Sequence, residues 1–314
     1  MNFPHFSLRD SVALVLLAMV VCLAPPDGSY KQSVEKWRQD YETKLTSDDG
    51  WLTVSGLFWL HEGQNRFGTD PHGDIVLPAG AGPATAGYFD FHAGKTVVHV
   101  NSDTHIAWQM PNRTAPPPSA ASSAPPSGQP IEGVELQPDS RQDRLVISGV
   151  VLYVHKSGER FAIRMKDKNS KLRKEFHGLR WFPIDEAYRV TARYTPYDAP
   201  RQVPIQTVLG DKENLIIAGY ATFSLNGKEY RLEGEKDDDG AMEFVFRDLT
   251  SRKDTYPAAR FLDTDPPKDG KVELDFNKAY NPPCAYNPYT TCPLPSPGNR
   301  LQVEIPAGEK RYHD

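Results

Sequence analysis

The sequence has little of what marks several protein classes. Its 314 residues include only three cysteines, and 36 basic against 41 acidic residues give a net charge of −5. A chain with this balance lacks the dense positive charge that attracts nucleic acids or anionic membranes. We therefore expect no nucleic-acid partner, and the absence of an apolar run long enough to span a bilayer predicts no stable membrane insertion.

Signatures of the common catalytic machineries are also missing. The chain has no Gly-x-Ser-x-Gly elbow, no phosphate-binding Walker loop, no His-Glu-x-x-His and no Cys-x-x-Cys. We predict no cofactor and no metal. An enzyme is not excluded, because a pair of catalytic carboxylates leaves no local motif.

The longest apolar run, SVALVLLAMVVCLA at residues 11–24, is shorter than the ~20 residues that a bilayer requires. It follows Arg9 and ends in small residues before two prolines, which is typical of a secretory signal peptide. We expect residues 1–24 to be removed and the protein to be exported to the periplasm or the medium. An uncleaved anchor and a lipoprotein linked at Cys22 are the alternatives.

Removal of the leader would leave Cys284 and Cys292. In an oxidising compartment, an isolated pair of cysteines favours a disulfide. A metal pair and a reactive thiol remain as alternatives, although no further cysteine or histidine lies nearby to complete a zinc site.

The N-terminal part of the mature chain has the pattern of one amphipathic helix. Val34, Trp37, Tyr41 and Leu45 recur at helical spacing between charged residues, which predicts a helical segment within residues 30–50. Polar residues and a glycine end this pattern just before Trp51.

Beyond the helix the pattern changes to short strands. Residues 51–150 form a predicted first β region, interrupted by a disordered Pro/Ser/Ala insert at 111–130. Residues 151–314 form a second β region with a proline-rich C-terminal loop. Asn226-Gly227 and Asp239-Gly240 are strong hairpin signals. The predicted class is mainly β, with antiparallel sandwich or barrel-like sheets and one N-terminal helix.

Residues 275–310, DFNKAYNPPCAYNPYTTCPLPSPGNRLQVEIPAGEK, resemble the hallmark of a prokaryotic family, domain-of-unknown-function number 1684. Further blocks agree in order, so that the resemblance extends over residues 37–310; they are GWLTVSGLFWLHEGQNRFGTD, DIVLP, FHGLRWFP and FRDLTSRKDTYPAARFL. The family carries no established activity, and the resemblance therefore implies no reaction.

The C-terminal block combines prolines with polar and aromatic side chains. Proline fixes the backbone and removes donors, so this block cannot form a regular ladder, and its polar groups must bond to the backbone or line a pocket. The first hypothesis is a binding module for a small polar or carbohydrate-like ligand. Its predicted binding residues are Arg260, Asn277, Tyr280, Asn281, Asn299 and Arg300.

Two other functions stay open. A hydrolase would use His177, Asp275 or Glu309 as acid or base, with Lys310 or Arg260 stabilising an anion. The third alternative is a structural or interaction protein without a ligand site, in which the asparagines and aspartates of the block are turn formers.

Overall fold

The computed structural model describes residues 27–105, 107–108, 132–140 and 142–313. The predicted leader, including Cys22, and the predicted insert at 111–130 lie outside the described residues. Within the described part, no helix combines the length and the apolar character needed to cross a bilayer.

The predicted N-terminal helix is confirmed as α1, Asp27–Thr46, and a second, short helix α2 spans Lys171–Lys174. Val34 and Leu45 are the buried residues on the inner face of α1. The chain turns back directly below the helix at Gly50, where a Cβ atom would lie 2.2 Å from the carbonyl oxygen of Leu45. Only glycine fits so close an approach, so the helix end is fixed against the following turn.

The N-terminal half is a sandwich of two five-stranded sheets, one with strand order β3-β2-β4-β5-β7 and one with order β1-β10-β9-β8-β6. Its core contains Phe67 and Phe89 from the first sheet and Leu152 and Ile163 from the second. The strands are β1 (Val54–Trp59), β2 (Gly63–Gly68), β3 (Ile75–Val76), β4 (Gly87–His92), β5 (Lys95–Val100), β6 (Ala107–Trp108), β7 (Glu132–Leu136), β8 (Leu145–Ile147), β9 (Val150–Ser157) and β10 (Arg160–Asp167).

The predicted boundary between residues 150 and 151 falls inside this sandwich. Strands β9 and β10 form a hairpin, and β10 pairs with β1 near the start of the domain. Hairpin signals identify neighbouring strands, whereas the pairing of β10 with β1 joins residues about a hundred positions apart. The first β region therefore continues to Asp167.

The C-terminal half is built on one antiparallel six-stranded sheet with order β15-β14-β13-β12-β11-β16, which curls so that its two edge strands approach each other. The proline-rich segment at 297–307 covers its core through Leu301 and Ile305. The mainly β class is confirmed. The strands are β11 (Arg189–Gln206), β12 (Lys212–Leu225), β13 (Lys228–Lys236), β14 (Met242–Phe246), β15 (Arg260–Thr264) and β16 (Lys271–Asp275).

Candidate functional site

Arg260, a predicted ligand contact, lies in a buried ion pair. Its side chain is fully buried and donates to the Asp248 carboxylate at 2.6 Å and to the carbonyl oxygens of Ile305, at 3.0 Å, and Ala307. These bonds fix the C-terminal segment on β15. The guanidinium stabilises the fold and does not line the cavity described below.

Asn277 and Asp275 join the start of α1 to the C-terminal half. The Asn277 amide donates to the carbonyl oxygen of Asp185 at 2.8 Å and to the Tyr30 hydroxyl at 3.0 Å. The Tyr30 hydroxyl in turn donates to Asp275 at 2.8 Å, and burial together with this carboxylate raises the pKa of Tyr30. Both predicted residues are therefore engaged within the fold.

Asn281 and Glu309 bind each other. Asn281 donates to the Glu309 carboxylate from its backbone N–H at 2.8 Å and from its side-chain amide at 2.7 Å, and the Tyr286 hydroxyl donates to it at 2.5 Å. Burial raises the pKa of Glu309 to about 8, while these hydrogen bonds and the charge of Arg260 lower it. Glu309 is only 1% exposed, so it has no access to a substrate.

Asn299 bridges strands β13 and β14 where they no longer pair with each other. Strands β13 and β14 pair only near Glu235 and Glu243. Beyond that point the Asn299 amide donates to the carbonyl oxygens of Glu233, at 2.8 Å, and Val245, at 2.9 Å, and its oxygen accepts from the Glu233 N–H. Asn299 is thus a bridge between two strands.

The other predicted residues lie apart from one another. His177 is exposed and stacks on the Tyr312 ring with 5.0 Å between centroids. The Lys310 ammonium lies 4.8 Å from the centre of the Phe182 ring. Arg300 is exposed at the rim of a separate, open cavity of about 690 Å³. Among the predicted ligand-binding and catalytic residues, only Tyr280 lines the cavity that follows.

A cavity of about 510 Å³ lies below the C-terminal end of α1, where the helix meets the sandwich and the C-terminal sheet. Such a volume is typical of small-molecule sites. Side chains from α1, β9, β10, β14 and β15 and from residues 290–293 of the proline-rich block form its wall. We call it the α1 cavity.

Arg164 on β10 is a buried cation in the wall of the α1 cavity. Its side chain is 4% exposed, and no carboxylate of the described residues lies within 4 Å of its guanidinium. Its Nη2 reaches the Thr291 hydroxyl at 3.5 Å, and its Nε has no hydrogen-bond partner in the described part of the chain. The Trp51 ring centre lies 5.8 Å from its Cζ.

His155 on β9 lies beside Arg164 in the wall of the cavity. Its Nδ1 lies 2.7 Å from Asp139, and its Nε2 lies 2.9 Å from the Thr291 hydroxyl that Arg164 also contacts. Burial opposes ionisation of Asp139, but the hydrogen bond and charge of His155 lower the pKa of this carboxyl. The aspartate therefore fixes the orientation of the ring.

Strand alternation explains why these two polar residues share one face. Tyr153 pairs with Arg164 and His155 pairs with Ala162, so all four side chains point away from the sandwich core. The opposite face carries the core residues Leu152, Val154, Ile163 and Met165.

The acidic side of the α1 cavity comes from the C-terminal sheet. Glu243 on β14 and Asp263 on β15 are directly paired across the strands, and both line the cavity. Burial, and then the charges of Asp263 and Glu235, raise the pKa of Glu243 to about 7. Asp263 accepts a hydrogen bond from the Tyr280 hydroxyl at 3.0 Å, whereas Glu243 has no hydrogen-bond partner among the described residues.

Aromatic rings form the apolar wall between the two charged sides. Phe261 and Tyr280 exchange two backbone hydrogen bonds of 2.9 Å, which hold both rings on the same edge of the sheet. The Tyr41 ring of α1 lies 4.9 Å from the Tyr280 ring. The cavity therefore combines an apolar surface with a few polar groups, as ligand pockets do.

Cys292 lies in the same wall, next to Cys284. Both are free thiols, and the backbone N–H of Cys284 donates to the Cys292 sulfur at 3.4 Å. A hydrogen bond with Cys292 and burial raise the pKa of the Cys284 thiol, while the hydrogen bond with Cys284 lowers the pKa of Cys292 despite burial. The predicted disulfide is not formed in the structure, and it stays a prediction.

Sequence reasoning missed Arg164, Glu243 and Asp263, the charged residues on which the site depends. Arg164 stands between Ile163 and Met165 in an otherwise buried strand, and this was the one available signal. Glu243 and Asp263 look like ordinary solvent-facing residues of alternating strands. Their convergence depends on how the two halves of the chain pack.

Comparisons with known proteins identify a family and no activity. Residues 174–310 match a family described as "Protein of unknown function (DUF1684)". The predicted resemblance is thereby confirmed over these residues, and its N-terminal part, from residue 37, lies outside the match. No curated protein matches the chain.

Among solved structures, the solution NMR structure of an uncharacterised protein of Haloarcula marismortui matches this chain at 33% identity. The match covers 44% of this chain and 78% of the other, with a TM-score of 0.38.

Proposed function

This chain belongs to the family of proteins of unknown function DUF1684, which its residues 174–310 match, and we propose that it binds a small polar ligand bearing an anionic group. The proposed site is the α1 cavity, with Arg164 as the contact to the anion. The ligand class is narrower than the polar or carbohydrate-like class predicted from the sequence. The site also differs, because most of the predicted contacts are bound within the fold.

The absence of an ion-pair partner for Arg164 carries the proposal. Its charge is felt by Asp139, whose pKa it lowers, but that carboxylate is bonded to His155 and forms no ion pair with the guanidinium. A buried cation without an ion-pair partner loses its hydration and gains little compensating charge, so buried arginines are normally paired. Arg164 is 4% exposed and its Nε is unpartnered among the described residues. Its planar guanidinium has the geometry that binds carboxylate or phosphate through two hydrogen bonds.

The neighbours of Arg164 support an anion at this position. The Thr291 hydroxyl lies beside the guanidinium and adds a hydrogen-bonding group, and the His155 ring holds this hydroxyl in place. The Trp51 ring, 5.8 Å away and partly exposed, adds an apolar surface at the cavity. An anionic group with a small organic body would satisfy all of these contacts.

The hydrolase alternative has less support. Glu309 and Asp275 are 1% and 4% exposed, and each is bonded to a partner within the fold. A general acid or base must reach the group to which it transfers a proton. A purely structural protein has less support as well, because a buried cation without an ion-pair partner beside a cavity lowers stability.

The test is anion-dependent stabilisation of the purified full-length protein. We expect sodium acetate or sodium phosphate to raise the melting temperature above that measured in sodium chloride of equal ionic strength, because a ligand that binds only the folded state stabilises it. Arg164→Met should abolish this difference. Arg66→Met is the matched control, because Arg66 is an exposed arginine far from the cavity wall.

Two results would contradict the proposal. One is an equal response of the melting temperature to acetate, phosphate and chloride. The other is an anion-specific response that Arg164→Met leaves intact.

Export is part of the proposal. The apolar run at residues 11–24 and the small residues before Pro25 support cleavage near Ala24. The intact mass of the protein recovered from a cell that exports it should lack residues 1–24. Recovery of the uncleaved chain in the membrane fraction would instead support an anchor.

A further inference from the structure

We infer that the ligand of the α1 cavity is a zwitterion, whose anionic group contacts Arg164 and whose protonated amine contacts Glu243 and Asp263. The inference rests on the proposed function and adds a second, oppositely charged contact. It names a chemical class, amino-carboxylates, in place of anions in general.

The first step is the alignment of three acids across the C-terminal sheet. Glu235 on β13 is the register partner of Glu243 on β14, which is the partner of Asp263 on β15. Directly opposed side chains lie about 5 Å apart at Cβ, and like charges in such pairs destabilise a sheet. Burial, and then the charges of Asp263 and Glu235, raise the pKa of Glu243, whereas the pKa of Asp263 is raised mainly by burial.

The second step is that the three carboxylates differ in the hydrogen bonds they accept. Glu235 accepts the backbone N–H of Ile216 at 2.6 Å, and Asp263 accepts the Tyr280 hydroxyl at 3.0 Å. Glu243 has no hydrogen bond and no ion pair among the described residues. A carboxylate that is half-buried, beside another acid and unpaired, is a position where a cation would be stabilised.

The third step is that opposite charges line one cavity without neutralising each other. Arg164 and Glu243 both face the α1 cavity, and they do not form an ion pair. Lys44 also lines the cavity, and its charge lowers the pKa of Asp263, but it forms no ion pair with either acid. The unpaired arginine and the unpaired glutamate are therefore both free to contact a ligand.

The strand register places an apolar ring next to the acidic side of the cavity. Phe261 and Asp263 are two positions apart on β15, which separates their rows by about 7 Å. Cys292 packs on the row of Phe261, and the Arg164 charge is close enough to lower the Cys292 pKa. A short zwitterion, with an aliphatic chain along Phe261, matches this arrangement.

The experiment compares two matched series of probes by isothermal titration calorimetry with the full-length protein. One series is glycine, β-alanine, 4-aminobutanoate and 6-aminohexanoate, and the other is acetate, propanoate, butanoate and hexanoate. We expect at least one amino-carboxylate to bind about fivefold or more tightly than the alkanoate of equal length, as one charge-assisted hydrogen bond provides.

Variants test whether Glu243 and Asp263 are the residues that contact the amine of the probe. In Glu243→Gln, the amino-carboxylate should bind no more than about twofold more tightly than the alkanoate of equal length. Alkanoate binding itself should be unchanged, because the arginine contact is intact. Asp263→Asn provides a second variant with the same expectation. Glu229→Gln, an exposed acid on the neighbouring strand, is the matched control and should keep the gain.

The outcomes separate the two proposals. Arg164-dependent binding of alkanoates, with no gain from an amine at any length, overturns the zwitterion and keeps the anion site. An amine gain that persists in both Glu243→Gln and Asp263→Asn also overturns it. Failure of every probe to bind, together with an absent acetate or phosphate response, overturns both.

Discussion

The Glu309 carboxylate accepts two hydrogen bonds from Asn281, one from its backbone and one from its side chain, at 2.8 and 2.7 Å. With the Tyr286 hydroxyl, these bonds join the last residues of the fold to the proline-rich block. A residue that sequence reasoning considered as a catalyst is thus a buried connection.

Replacing Glu309 by alanine should therefore lower the free energy of unfolding. Three donors would be left without an acceptor in a buried position, and we expect a loss of about 3–5 kcal/mol. Urea denaturation followed by circular dichroism measures this change. Glu304→Ala is the control, since Glu304 is exposed and paired with Lys253, and its effect should stay within about 0.5 kcal/mol. An equally small effect of Glu309→Ala would contradict the structural role.

Glu309 should also make stability depend on pH. Its pKa is raised to about 8 in the folded protein, above the ordinary value of about 4.5 that applies when the chain is unfolded. The folded state then binds more protons than the unfolded state between these values, so stability falls as pH rises from about 5 to 8. Unfolding free energies at pH 5 and pH 8 should differ less in Glu309→Gln than in the wild type. An identical difference in both proteins would contradict this assignment.

Arg164→Met should stabilise the ligand-free protein. The substitution removes an unpaired buried charge and retains an apolar side chain of similar length, for which we expect a gain of about 1–2 kcal/mol. Chemical denaturation without added anions tests the gain, and Arg66→Met should show none. A large loss of stability would indicate that Arg164 serves the fold and not a ligand.

The amine contact should strengthen as pH rises through 7. Glu243 carries its charge only above its raised pKa of about 7, and the amine of 4-aminobutanoate stays protonated throughout this range. Asp263, Lys44 and Tyr280 also line the cavity, and Glu235 lies beside Glu243 on the neighbouring strand. The ratio of the affinities for 4-aminobutanoate and butanoate should therefore increase from pH 6 to pH 8.

The ratio of affinities reports on Glu243 alone, because in the proposed binding mode Arg164 contacts the carboxylate that both probes share. A ratio that stays constant over this range, or that decreases, would show that Glu243 does not bind the amine.

The two cysteines give a prediction that depends on compartment. In protein recovered after export we expect Cys284 and Cys292 to be oxidised, because their neighbouring positions allow a bond that an oxidising compartment favours. Closure of this short loop should contribute about 2.5 kcal/mol. Thiol titration of the denatured protein without reductant should find no free thiol, and two titrating groups would contradict the disulfide.

Local features of the chain were predictable because they depend on neighbouring residues. Val34 and Leu45, spaced for one helix face, are buried as the pattern required. Asn226 adopts a positive φ of 53° and Gly227 one of 74° in the hairpin turn that their dipeptide indicated. The mainly β class follows from the same kind of local information.

The role of the C-terminal asparagines was not predictable in the same way. Asn277, Asn281 and Asn299 combine polarity with prolines nearby, which fits both a ligand contact and a backbone bridge. Burial decides between these roles, and burial depends on which distant segment covers each residue. All three are at most 1% exposed and bonded to distant parts of the chain.

The sequence by itself determined the β class, the first helix and the family of the C-terminal part. Strand alternation and helical spacing depend on neighbouring residues, and the family resemblance depends on the order of sequence motifs. Only the tertiary structure decided the candidate site. Arg164 and Glu243 lie about eighty positions apart on different sheets, and each looks ordinary among its own neighbours. Packing of the two halves removed both charges from most of the solvent and placed them in one cavity without pairing them.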